Sequence, residues 1–302
     1  MERRRLVLLA VVCISLSLNL LTLIVAYPET FNMDPGCCAH IPLAKDFSAY
    51  YTAGWRLFHD PANLYTPGAL NDGEYRILPQ PETFKYAPSF LVFIIPYLAL
   101  SYQSALTLFD ITQFALLIPL ALMIYRLLEN KHLAVISTVL VIALLLPFPI
   151  PNWGASASYY WQWAEGQSKV LDIFLIVLAF YLGKIKRPYI SGVFFGLSFF
   201  DPRFAIISIP LFLVYNKEKV RASTFAATAS VAVSNLPLLY PGTGSGFIQM
   251  ISSGGLETPL YPYAYIPLLT VLALSVANWK EISRAFAQLS KSRSSQAGLE
   301  KV

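Results

Sequence analysis

Long uncharged apolar runs limit this chain more than any other feature. Leu6 to Ala26 carries no charge, and further runs cover roughly 132–150, 168–183, 189–200, 203–215, 222–240 and 262–279. A helix of about 20 apolar residues spans the hydrocarbon of a bilayer at 1.5 Å per residue. The runs are too long and too uniformly apolar for barrel strands, which alternate. Of the 302 residues 56% are hydrophobic and 13% charged; a soluble domain carries about a quarter of its residues as charges. A soluble enzyme, a disordered chain and a single-anchor protein are therefore excluded. The expected fold is an all-α polytopic membrane protein, one integral domain over 1–302 with about eight or nine transmembrane helices.

The basic residues set orientation. Arg3, Arg4 and Arg5, the stretches 184–187 and 217–221, and the tail 280–302 hold 14 of the 22 lysines and arginines. Cytoplasmic loops collect Lys and Arg, so both termini are expected in the cytoplasm of a multi-pass plasma-membrane protein. A signal peptide also starts with basic residues, but 6–26 is long and no small-residue cleavage site follows it cleanly. The net charge of +5 thus reflects topology, and no nucleic-acid partner is expected. The segments 27–88, 149–167 and 241–263 fall on the opposite face. The pair 189–200 and 203–215 reads as a helical hairpin broken at Asp201-Pro202. Parity is open at 86–128. The stretch is long enough for two spans, whereas placing Arg126 and Lys131 inside requires one or three; either 86–100 lies partly in the interface, or the 126–131 loop faces out against the charge rule.

Cys13, Cys37 and Cys38 form no CxxC pair, and His40, His59 and His132 are scattered. No metal site and no cofactor are expected, and no Gly-rich nucleotide loop is present.

The first external loop, 27–88, is the only long polar segment. Within Asp46 to Asp60 the residues Phe47, Tyr50, Tyr51, Trp55 and Phe58 recur at helical spacing, which predicts an amphipathic helix on the membrane surface. Asp46 opens it. It is either an N-cap or a general base facing the aqueous or headgroup side. Asp34-Pro35, Asp60-Pro61 and Asp72-Gly73 read as turns.

Four blocks carry a family resemblance. Asp46, Tyr50, Ala53 and Leu64-Tyr65 are the first. Phe84, Tyr86, Pro88 and Pro96 form the second. Gly166-Gln167 opens an apolar helix, and GVFFGLSFFDPRFAIISIP forms a hairpin. In this order the blocks resemble glycosyltransferase family 87 of the GT-C superfamily, with Arg203 at the hairpin position where the family carries Lys. The resemblance implies a GT-C-like bundle and transfer of a hexose, usually mannose. The donor would be a polyprenyl-phosphate sugar and the acceptor a lipid-linked or glycan molecule, on the non-cytoplasmic face. It implies a metal-independent, inverting reaction with Asp46 as base. Membrane lipids are the remaining expected partner.

A departing carrier phosphate needs positive charge, and Arg203, Lys169 and Lys85 are the available cations. Arg203 with Asp201 is also explained as a hairpin turn, and Lys169 with Asp172 as a local i, i+3 ion pair. Tyr50, Tyr86, Glu165 and Gln167 are candidates for holding sugar or acceptor hydroxyls. The aromatics of 159–163 suit an interfacial belt or a sugar platform. Asp110 lies midway along an apolar run with no assigned role. A transporter and a non-catalytic assembly subunit are the alternatives; the asymmetric first loop and the lack of an internal repeat argue against a transporter.

Overall fold

The computed structural model describes residues 45–66, 83–128, 131–139 apart from Leu133 and Ile136, and 166–252. The apolar runs 6–26 and 262–279, most of 132–150, the three cysteines, Glu165, the aromatics of 159–163 and the tail 280–302 lie outside the described residues.

The described residues form helices and turns. They are α1 (Lys45–His59), α2 (Leu91–Ile94), α3 (Tyr102–Leu127), α4 (Lys169–Lys184), α5 (Pro188–Leu197), α6 (Pro202–Tyr215), α7 (Val220–Ser234) and α8 (Thr243–Ser252). Short 3-10 turns flank them at Pro61–Asn63, Pro88–Phe90, Ile95–Tyr97, Ser198–Phe200, Lys217–Lys219 and Leu236–Leu239.

Among the described residues one helix, α3, is long and apolar enough to cross a membrane. At 26 residues it is about 39 Å long. Leu108, Ile111, Ile118 and Leu122 form an exposed apolar stripe along it. Pro88 opens one 3-10 turn and Pro96 is the second residue of another, so 88–97 is chopped into short pieces instead of forming a span. The stretch 86–128 therefore holds a single membrane-length helix.

The hairpin expected at Asp201-Pro202 is present. Asp201 is extended (φ −114°, ψ 91°) and Pro202 occupies the first turn of α6, where its missing N–H costs nothing. The two glycines of the hairpin explain how α5 packs. A Cβ on Gly192 would lie 2.2 Å from the Ser223 carbonyl oxygen, and one on Gly196 2.5 Å from that of Ala227. Backbone contact this close between α5 and α7 needs the small-xxx-small pattern. Ser230 Oγ adds a hydrogen bond to the Val193 carbonyl at 3.0 Å.

Two cores result. An aromatic one gathers Phe47, Tyr50, Tyr51, Phe84, Tyr86, Phe90, Phe109 and Phe200. A more aliphatic one joins the later half of α3 to α4, α5 and α6 through Leu120, Ile124, Ile176, Phe180, Phe195, Leu211 and Phe212. Helix α1 keeps the predicted amphipathic spacing but is more enclosed than a surface helix. Phe47, Tyr50, Tyr51 and Ala53 are buried, and so are Ser48, Thr52 and Arg56 on its polar side. Small residues permit this: a Cβ on Gly54 would lie 3.0 Å from the Leu98 side chain. Among the described side chains of the helix, Phe58 and His59 at its end are the exposed ones.

Helices α4 and α6 run between two polar ends about 20–24 Å apart at 1.5 Å per residue. One end carries Lys169, Asp201 and Arg203. At the other, Lys184 Nζ donates to the carbonyls of Leu127 (2.7 Å) and Arg126 (3.0 Å), closing the C-terminus of α3 with a cation. Helix α4 ends there in a Schellman motif: Arg187 N bonds Leu182 O at 2.9 Å and Lys186 N bonds Gly183 O at 3.0 Å. Lys186 takes the left-handed position usually given to glycine, with φ +62°.

Candidate active site

The site is assembled around the start of α4. Gly166 has φ +65°, a left-handed turn that favours glycine. This turn delivers Gln167 and Ser168 just ahead of the helix. Gln167 Nε2 donates to Asp46 Oδ2, and the Gln167 carbonyl accepts from Gln113 Nε2. The Gly-Gln block thus ties α1 to α3 and α4. Asp46 is half-buried and lies within the first turn of α1, not at its N-cap. The helix N-terminus still favours its negative charge.

One residue further on, Ser168 Oγ donates to Tyr86 Oη at 3.3 Å. Lys169 Nζ is 3.2 Å from the same oxygen and 3.1 Å from Asp201 Oδ2. Arg203 then grips Asp201 in a fork, Nε to Oδ1 at 2.8 Å and Nη2 to Oδ2 at 2.7 Å. Lys169 and Arg203 both face the Phe204 ring, 5.1 and 5.6 Å from its centroid. The turn expected at Asp201–Arg203 is a bidentate pair, and it also draws in Lys169 from another helix.

The i, i+3 partnership of Lys169 with Asp172 is replaced by the longer-range bond to Asp201. Asp201 presents an oxygen already aligned by Arg203, whereas both Asp172 oxygens are buried with no hydrogen-bond partner. Lys85 is exposed, one residue before buried Tyr86. Glu165 lies outside the described residues.

Tyr86 is the hub between the aromatic core and the charges, and its backbone is fixed from three sides. Tyr65 Oη donates to the Tyr86 carbonyl at 3.0 Å, Ala87 N donates to Phe200 O at 3.2 Å, and Ser89 N donates to Asn235 Oδ1 at 3.3 Å. Tyr50 lies beside it, ring centroids 5.5 Å apart. Burial, then the neighbouring Tyr86 and Asp46, push the Tyr50 phenol well above its ordinary value, so it keeps its proton near neutrality.

Gln113 and Ser168 are site residues that the sequence reading did not single out. Gln113 is buried with an unpartnered Oε1, and Asp110, one turn before it, is buried with an unpartnered Oδ1. The available signal was the i, i+3 spacing of two polar residues in an apolar helix, a pattern that marks function in membranes.

The arrangement places a carboxylate, an amide bridge and two cations sharing one counter-ion in a continuous polar seam. The carboxylate suits proton removal, and the cations suit a leaving anion.

The sequence model for Glycosyltransferase family 87 matches residues 84–253, more than half of the chain. The match takes in Tyr86, Gln113, Gln167, Lys169, Asp201 and Arg203, while Asp46 precedes it. No curated protein and no solved structure matches the chain. On the family match the chain belongs to glycosyltransferase family 87, a family of membrane proteins, and is a glycosyltransferase.

Proposed function

We propose that this protein transfers a hexose, with mannose the first candidate, from a polyprenyl-phosphate donor to a lipid-linked or glycan acceptor. The reaction takes place on the non-cytoplasmic face of the plasma membrane, in a multi-pass bundle with both termini in the cytoplasm. Asp46 removes the proton of the acceptor hydroxyl as its oxygen attacks the anomeric carbon. The new glycosidic C–O bond forms while the bond from that carbon to the carrier phosphate breaks. Lys169 and Arg203 receive the departing phosphate, so side chains supply the positive charge and no metal is required. Asp201 holds the two cations together and ready until the phosphate competes for them. Base and cations act from opposite sides of the sugar, which gives inversion. Tyr50 and Tyr86 border the reacting ring, and Gln167 orients the carboxylate.

One observation carries this reading: Asp46 is bonded to Gln167, two residues before Lys169, which reaches Asp201 and Arg203 through the 3.1 Å contact. Carboxylate and cations thus belong to one polar seam at one end of the bundle. The test is incubation of purified protein with polyprenyl-phosphate mannose and candidate lipid acceptors, with products read by mass spectrometry. Wild type gains a hexose on the acceptor, and Asp46→Ala inserts into membranes but gives no product. Product from Asp46→Ala at the wild-type level would overturn the assignment.

A further inference from the structure

At the opposite end of the bundle lies a cavity that takes no part in this chemistry. Its volume is about 260 Å³, and its walls include Lys184, Lys186, Asn216, Lys217, Glu218 and Lys219. Four lysines and one glutamate thus line it.

The lysines are not equivalent. Lys184 is anchored by the α3 carbonyls at 2.7 and 3.0 Å. Lys186 is held in the left-handed region, where glycine would be the easier residue, and its ammonium lies 3.1 Å from Glu218 with both side chains mostly exposed. An exposed pair of this kind is readily exchanged for a stronger anion. Lys217 and Lys219 make no ion pair among the described residues.

Asn216 adds a second, independent feature. It is 3% exposed, and its Nδ2 donates to Ser191 Oγ and the Phe212 carbonyl, both at 3.0 Å. The amide orientation is therefore fixed, yet its Oδ1 accepts no hydrogen bond. Buried acceptors without donors are rare in folded proteins. Gly183 makes room for this amide, since a Cβ there would lie 2.6 Å from Nδ2. The lining residues therefore combine lysines suited to an anion with a buried amide whose oxygen has an unused acceptor.

We propose that this cavity binds a phosphate ester bearing a free hydroxyl, with the lysines on the phosphate and the Asn216 side receiving the hydroxyl. Basic pockets between helices at the membrane surface suit anionic headgroups, and a soluble phosphate ester presents the same chemistry. The inference does not depend on the donor site around Asp46.

The test uses the full chain in nanodiscs of phosphatidylcholine containing a minority of phosphatidylglycerol, with retained lipids counted by native mass spectrometry. Phosphatidylglycerol should be enriched over its bilayer share by about tenfold. The double variant K217Q/K219Q, at exposed positions, should lose that enrichment. K85Q/K131Q, which removes the same charge at exposed positions that do not line the cavity, should keep it. In a second arm, protein in pure phosphatidylcholine nanodiscs is titrated with glycerol 1-phosphate, read by protection of lysines from an amine-reactive reagent. Protection of Lys217 and Lys219 there would identify a soluble ester as the ligand; enrichment without protection would identify the lipid. Absence of both effects, or equal loss in the two variants, would overturn the proposal.

Discussion

Two ion pairs with the same separation mark the two ends of this bundle. Lys169–Asp201 and Lys186–Glu218 each span 3.1 Å, but the side chains are 4% and 1% exposed in the first and 73% and 61% exposed in the second. Equal geometry does not mean equal energy. In the first pair both charges have left water, and each depends on the other and on Arg203. In the second, water screens the charges and replaces either partner at little cost. The buried end is thus a fixed electrostatic device, suited to a charge that appears only during reaction. The exposed end is an adaptable surface, suited to a ligand that comes and goes.

This contrast can be broken by substitution. Asp201→Ala leaves Lys169 buried without its counter-ion and should lower stability by about 3–5 kcal/mol, read as a drop in thermal unfolding temperature in detergent. Gly192→Ala forces a Cβ against the Ser223 carbonyl and should cost about 1–3 kcal/mol by the same readout. Lys186→Gly relieves the left-handed backbone at φ +62° and should be neutral or stabilising by up to about 1 kcal/mol. Glu218→Gln should shift stability by no more than about 0.5 kcal/mol. If Asp201→Ala and Glu218→Gln had similar effects, burial would not be what separates the two ends.

The parts of the fold written in local chemistry were legible in the sequence. The Asp-Pro break of the hairpin, the helix after Asp46 and the Gly-Gln opening of α4 follow from proline, spacing and glycine, each acting within a few residues. What depended on distant partners was not. The local rule paired Lys169 with Asp172, but Asp201, 32 residues away, holds it instead. Gln113 gained its role from a carbonyl 54 residues distant. The helical spacing of α1 predicted an apolar face but not its depth, because enclosure comes from the 88–97 turns and α3 folding around it. Tyr65 shows the same limit. Its hydroxyl fixes the Tyr86 carbonyl from 21 residues away, so its contribution is positional and carries no chemical signature in the sequence.

The central claim is that Asp46 acts as a base while the cations hold the donor phosphate, and steady-state turnover with polyprenyl-phosphate mannose separates these roles. Asp46→Asn keeps an acceptor for Gln167 but cannot take a proton. It should lower kcat by about 10²–10⁴-fold and leave the donor KM within about threefold, whereas Arg203→Gln should raise the donor KM. Wild-type kcat in Asp46→Asn would contradict the claim and move the base elsewhere in the chain.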